Sequence, residues 1–283
     1  MKVATLLSAV AAATLVSAGT FHLPKNPGSF DLDPHGFIVE YNSEVEHRAA
    51  LYAMNKRKVT YQVRKQYSVF NGAAITVNSA HTGDELADIP GIKNVWSIVY
   101  YRVPRVKVAN PANATDPITV SDHIMTGVDV LQKQYKLTGK GIKVGVVDTG
   151  IDYKHPAFAL PGATAGCFGP GCRVAMGWDF VGDAYTGRNT PQPSANPMDC
   201  EGHGTHVAGI IGANALNISG KFQPPQPFVL NMSLGGGSAY KTNPEAVLAD
   251  RLVAAGMAVV VAAGNDGSDG VWMVSDASLG DVT

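Results

Sequence analysis

The stretch "GIKVGVVDTG" (141–150) decides the fold. Its apolar core has no polar alternate, so it reads as a strand covered on both faces, as in a parallel sheet layered with helices. Three further stretches share that texture: "RVAMGWDF" (173–180), "FVLNMSLG" (228–235) and "MAVVVAAGN" (257–265). Between the last two, "NPEAVLADRLVAAG" supplies a crossover helix, with Asn243 as N-cap, Pro244 in the first turn and Gly256 at the stop. Strand, helix and strand make a βαβ unit, expected to be right-handed. The fold class expected is α/β, a parallel-sheet domain over 125–283, preceded by a small α+β module.

That module is read between residues 36 and 103. "GFIVEY" is a strand, and "EVEHRAALYAMNKR" is a helix with Val45, Ala49 and Tyr52 on one face. "VTYQVRKQYSVFNGAAITV" is a hairpin with Asn71-Gly72 as its turn signal. "TGDELADIPGI" is a short helix stopped by Pro90, and "KNVWSIVYYRV" is a last strand. The order β-α-β-β-α-β suggests a ferredoxin-like sandwich. The chain from Val103 to Pro117 is rich in Pro, Asn and Ala without periodicity, and a linker is assigned to 111–124.

Residues 1–18 read as a secretory signal: Lys2, an apolar run, and a small-x-small end at Val16-Ser17-Ala18. That run is too short to span a bilayer, so no membrane attachment is expected after cleavage. The destination is extracellular, an oxidising compartment in which the three cysteines allow at most one internal disulfide. Cys167 and Cys172 lie in the turn-rich "CFGPGC" and could pair, leaving Cys200 over. Sequons occur at Asn113, Asn217 and Asn231, the last in a strand position. A formal net charge of −1 gives no reason to expect nucleic acid as a partner.

Functional groups of parallel sheets gather at the carboxyl ends of strands. Asp148, Ser233-Leu234-Gly235 and Asn265 fall at such ends, and His203 opens the apolar helix "HGTHVAGIIGAN". Zinc-peptidase spacing would put two His four apart around a Glu, whereas Gly204 and Thr205 separate His203 from His206. No metal site is therefore expected, and His206, beside Val207 and Ala208, reads as packing. Glycines at 202 and 204 leave His203 open to close approach by another group. A neutral imidazole acting as base needs an orienting carboxylate, for which Asp148 is better placed than Asp152 in the following turn. Asn265 can present its amide to a developing oxyanion.

"VVDTGID", "GHGTHVAG", "NMSLGG" and "AAGNDG", in this order, resemble the subtilisin-like serine peptidases, or subtilases. The resemblance covers about 125–283, and "GWDFVGDAY" and "GNDGSDG" are most similar to fungal extracellular members. It implies Asp148 as orienting acid, His203 as general base, Asn265 as oxyanion donor, and Ser233-Leu234-Gly235 as the segment that pairs with an extended peptide substrate. It also implies that 19–110, with its core at 36–106, is an inhibitor-type propeptide packing on the peptidase domain. No cofactor is required. Calcium, which some subtilases bind, rests on the resemblance only, since no loop here is dense in oxygen ligands.

Two features depart from the family. Its nucleophile motif, G-T-S-M-A-x-P, occurs nowhere before Thr283, and Ser238 in "GGGSAY" is no substitute, so the chain is expected to be truncated ahead of its nucleophile and essentially inactive. Between His203 and Ser233 the family has a further strand and helix. Here Pro224, Pro225 and Pro227 forbid both, giving an internal gap near 214–228. The sheet is expected either to lack a strand there or to close up around its absence. The leading reading is a secreted serine endopeptidase precursor; the alternative is a non-catalytic, propeptide-type inhibitor or chaperone of a related peptidase.

Overall fold

The computed structural model of the chain describes residues 18–23, 31–67, 70–78, 82–100, 124–213, 228–235, 241–265, 278 and 280. The expected signal through residue 17, nearly all of the expected linker, Asn113, Asn217, Ser238 and most of the expected gap lie outside the described residues. The chain divides into two compact units, 1–99 and 100–283.

Among the described residues the first unit is a five-stranded sheet with two helices. Its elements are β1 (Thr20–His22), β2 (Asp31–Tyr41), α1 (Glu44–Lys56), β3 (Tyr61–Tyr67), β4 (Gly72–Val77), α2 (Gly83–Ala87) and β5 (Ile92–Tyr100), in sheet order β1-β5-β2-β4-β3. β4 runs antiparallel to both β2 and β3, and β1 adds a parallel edge on β5. One continuous core forms, with Val39, Ile75, Leu86, Ile92 and Val95 all fully buried. A capping box starts α2: the Thr82 hydroxyl accepts from the Glu85 amide, and the Glu85 carboxylate accepts from the Thr82 amide.

Two details of this unit differ from the sequence reading. α1 buries Ala50 and Met54, while Ala49 and Tyr52 are exposed. These two faces of the helix lie only one residue apart in sequence, and the buried one is set by contact with the sheet. Gly72 is the first residue of β4, paired with Tyr67, so Asn71-Gly72 is not the centre of a two-residue turn.

The second unit contains α3 (Val128–Lys133), β6 (Lys143–Val146), a 3-10 turn (Pro156–Phe158), α4 (His203–Gly212), β7 (Phe228–Met232), α5 (Pro244–Ala254) and β8 (Ala258–Val261). The strands form a parallel sheet in the order β6-β7-β8. β6 bonds directly to β7, with Val144 opposite Val229 and Val146 opposite Asn231, so the sheet is closed where a strand was expected to be missing. α5 is the crossover from β7 to β8. Its last turn closes as a Schellman motif: Gly256 N–H donates to the Val253 carbonyl and Met257 N–H to that of Leu252, with Gly256 at φ 89°. Asn243 occupies the N-cap position with extended backbone, but its side chain makes no capping bond.

Residues 173–180, expected to be a buried strand, are irregular. Only isolated bridges join Phe168 to Val174 and Asp179 to Ser194. Val174 packs with Phe158 and Ala208, but Met176, Trp178 and Phe180 are exposed at 72%, 52% and 68%. The Asp179 carboxylate accepts the amides of Val181 and Gly182 and turns the chain at the end of this stretch. Apolar content there reflects surface, not a covered sheet. Cys167 and Cys172 form a disulfide across five residues, and Cys200 is free and exposed.

Candidate active site

The site begins where β6 runs out. The Val147 amide donates to the Asn231 carbonyl, one step beyond the ladder, and the chain then turns at Asp148 and Thr149. The Asp148 side chain is almost wholly buried, at 3% exposure. Its Oδ1 accepts the Thr149 amide at 2.8 Å and lies 2.7 Å from His203 Nδ1. An ionised carboxylate only accepts, so Nδ1 carries the hydrogen of that bond. Nε2, on the far side of the ring, is left to take up a proton. Asp148 Oδ2 is buried and has no hydrogen-bond partner among the described residues.

His203 is the first residue of α4 and half-buried. The glycines around it have distinct tasks. Gly202 is left-handed at φ 95°, which directs the chain into the helix. Gly204 sits against the β6 tip: a Cβ there would stand 2.2 Å from the Gly150 carbonyl oxygen and 3.1 Å from Asp148 Cβ. Gly150 is itself left-handed at φ 124° and packed against Pro197 and Asp199. The close approach of two backbones brings the imidazole within reach of the carboxylate.

A second carboxylate, absent from the sequence reading, fastens this contact. Asp199 Oδ1 accepts from the Thr149 hydroxyl and from the amides of Glu201 and Gly202. Its Oδ2 accepts from the Thr205 amide and hydroxyl. Burial alone would raise the Asp199 carboxyl, but bonds from Thr205, Gly202 and Glu201 outweigh it and hold the pKa at about 2. The available signal was positional: an Asp shortly before an apolar helix is a start signal, and "DCEGHG" has one.

The other predicted residues fall along the same edge of the sheet. Register continued past the ladder carries the chain from β7 into Ser233, Leu234 and Gly235, and from β8 towards Asn265. Ser233 Oγ accepts from the Asn231 amide side chain at 3.0 Å, and Gly235 is left-handed at φ 136°. Asn265 is exposed, beyond the end of β8. Asp152 serves the turn instead: its Oδ1 accepts the Lys154 amide, and its own amide donates to the Thr205 hydroxyl. His206 is exposed, not packed, because the buried side of α4 is the one carrying Gly204 and Ala208. Among the described residues no group of three or more His, Cys, Asp or Glu is placed to hold a metal ion, and no helix is long and apolar enough to cross a membrane.

A parallel α/β sheet with a buried carboxylate at one strand end, bonded to a histidine at a helix mouth, defines the class: a scaffold for acid–base chemistry at the carboxyl edge. Residues 139–223 match the model of the subtilase family. Over 163 residues the chain is 32% identical to the extracellular serine proteinase of Thermus sp. (strain Rt41A), covering 48% of this chain and 34% of that one. It is 29% identical over 235 residues to the minor extracellular protease Vpr of Bacillus subtilis (strain 168), covering 81% and 27%, and 28% identical over 243 residues to subtilisin E of the same organism, covering 74% and 53%. The chain thus spans about a third of the length of the curated relatives it matches first. Among solved structures, fervidolysin from Fervidobacterium pennivorans, a keratinolytic enzyme related to subtilisin, aligns at a TM-score of 0.53 and 19% identity, covering 88% of this chain and 42% of that one. That likeness shows the subtilisin-like fold.

Proposed function

We propose that this chain is a secreted, subtilisin-like serine endopeptidase precursor. The observation that carries the reading is the 2.7 Å contact between His203 Nδ1 and buried Asp148 inside the subtilase-matching segment. Asp148 fixes the tautomer and balances the imidazolium as it forms. His203 Nε2 takes the proton of a serine nucleophile and returns it to the leaving amine. Asn265 donates to the oxyanion, and Ser233-Leu234-Gly235 pair with an extended peptide as an added strand. These 283 residues contain no G-T-S-M-A-x-P motif, so the chain supplies the acid and base of the machinery and not its serine in that form. The chemistry asks for no cofactor. Residues 19–110 act as the inhibitor-type propeptide, and the substrates are proteins met outside the cell.

The test joins this chain to the serine-bearing segment of a related subtilase and labels the folded product with a fluorophosphonate probe, with His203→Ala as control. Labelling that disappears in His203→Ala supports the reading. Labelling that persists there removes His203 as base, and no labelling of a folded product removes the peptidase assignment for this chain. One observation favours a second reading, a propeptide-type inhibitor or chaperone: the first unit builds a complete core from its own residues. Titration of residues 19–110 against an intact subtilase tests the second reading, which an absence of inhibition removes.

A further inference from the structure

We propose that Asp199 is a positioning residue for His203, holding the mouth of α4 against the tip of β6 through Thr149 and Thr205. The inference rests on the reading of His203 as the base. Asp199 touches neither ring nor substrate; it acts on the two backbones that carry the pair.

The arrangement is a crossed strap. Thr149 belongs to the strand tip, next to Asp148, and Thr205 to the helix, two residues after His203. Each hydroxyl donates to a different oxygen of Asp199, Thr149 at 2.9 Å and Thr205 at 2.6 Å. Each hydroxyl then accepts an amide from the opposite element: Gly204 N–H donates to Thr149 Oγ1 at 2.9 Å, and Asp152 N–H to Thr205 Oγ1 at 2.8 Å. The carboxylate thereby fixes the rotor of both hydroxyls, and the hydroxyls fix the distance between strand tip and helix. Three further amides, from Glu201, Gly202 and Thr205, complete its shell.

The chemistry of this shell demands an anion. All five groups around Asp199 are donors, so an amide in its place would turn an N–H toward at least one of them. Charge-assisted acceptors are stronger and shorter than neutral ones, and the depressed Asp199 carboxyl is consistent with that load. The residues it moves are the immediate neighbours of the reactive pair. Slack in the strap is therefore felt first in the Asp148–His203 bond, which joins positions 55 residues apart.

The test follows the downfield Nδ1–H proton of His203 by NMR in the full chain, beside the amide dispersion of the sheet as a measure of fold. The variants are Asp199→Asn, Thr149→Val, Thr205→Val and Thr205→Ser. The expected result is a resolved resonance in the wild type and in Thr205→Ser, and its loss to solvent exchange in Asp199→Asn, Thr149→Val and Thr205→Val with sheet amides retained. A resonance that survives unchanged in folded Asp199→Asn overturns the inference, as does loss there with retention in both valine variants. Should Asp199→Asn fail to fold, the comparison of Thr205→Val with Thr205→Ser decides. A folded wild type without the resonance overturns the Asp148–His203 reading itself, an outcome visible before any variant is made.

Discussion

Gly204 and Gly150 meet so closely that a Cβ on Gly204 would overlap the Gly150 carbonyl oxygen, at 2.2 Å. The obstacle is backbone held by Asp199 and Pro197, which cannot swing aside as a flexible side chain would. Gly204→Ala is expected to push α4 off the strand tip and to destabilise the second unit by about 1–3 kcal/mol, the usual cost of overpacking. Chemical denaturation checks this, and Gly202→Ala is the contrast. Gly202 has open space around its Cβ position, so only its left-handed φ of 95° opposes the change, at a cost of about 1–2 kcal/mol.

Asp148→Asn keeps the size of the side chain and removes its charge. In any form of the protein that hydrolyses peptides, the variant is expected to lose roughly 10⁴ in kcat with KM little changed, because the asparagine does not enforce the Nδ1–H tautomer. Steady-state kinetics on a chromogenic peptide separate the two parameters. A loss confined to KM would place Asp148 in substrate binding instead.

The acid limit of the second unit should carry the signature of Asp199. Its carboxyl is lowered from 3.8 to about 2 in the folded chain. A depressed carboxyl contributes stability that is fully present above the unfolded value and is lost as pH falls towards the folded one. Denaturation midpoints measured on descending through this window should fall more steeply for the wild type than for Asp199→Asn. Parallel curves would mean that the network around Asp199 does not differ between folded and unfolded chains.

The two units should respond differently to the same truncation. Ile75 is fully buried in the first unit, and Ile210 on α4 is 54% exposed. Ile75→Ala is expected to cost about 2–5 kcal/mol. Ile210→Ala should stay within about 0.5 kcal/mol. Unfolding followed by probes specific to each unit tests both values. A large loss for Ile210→Ala would show that α4 is covered in solution.

Much of the framework was legible from periodicity. The parallel sheet over β6, β7 and β8 is carried by three apolar runs, and the Gly256 stop of α5 follows from the chemistry of a left-handed residue. The elements of 36–103 follow one another in the order read from alternation and turn residues. Asp148 and His203 could be singled out because a strand end and a helix mouth are local features. What escaped was set by tertiary contact. The buried side of α1 depends on where the sheet lies. β1 is three residues long and exists because β5 offers an open edge. Residues 173–180 have the composition of a covered strand but, among the described residues, pair only through isolated bridges at Val174 and Asp179. Asp199 drew no assignment because its partners, Thr149 and Thr205, come from two separate elements.

The direct pairing of β6 with β7 also bears on how fast each part of the chain acquires its structure. In the first unit β3 and β4 are neighbours in sequence, and their ladder can zip as soon as the short connection closes. In the second, Lys143 must find Phe228, with the whole Asp148–His203 apparatus lying in the loop between them. Loop-closure entropy has to be met before any rung of that ladder repays it, and non-local parallel pairing is slow for this reason. The first unit is therefore expected to be formed while the edge that bears the histidine and the two aspartates is still assembling.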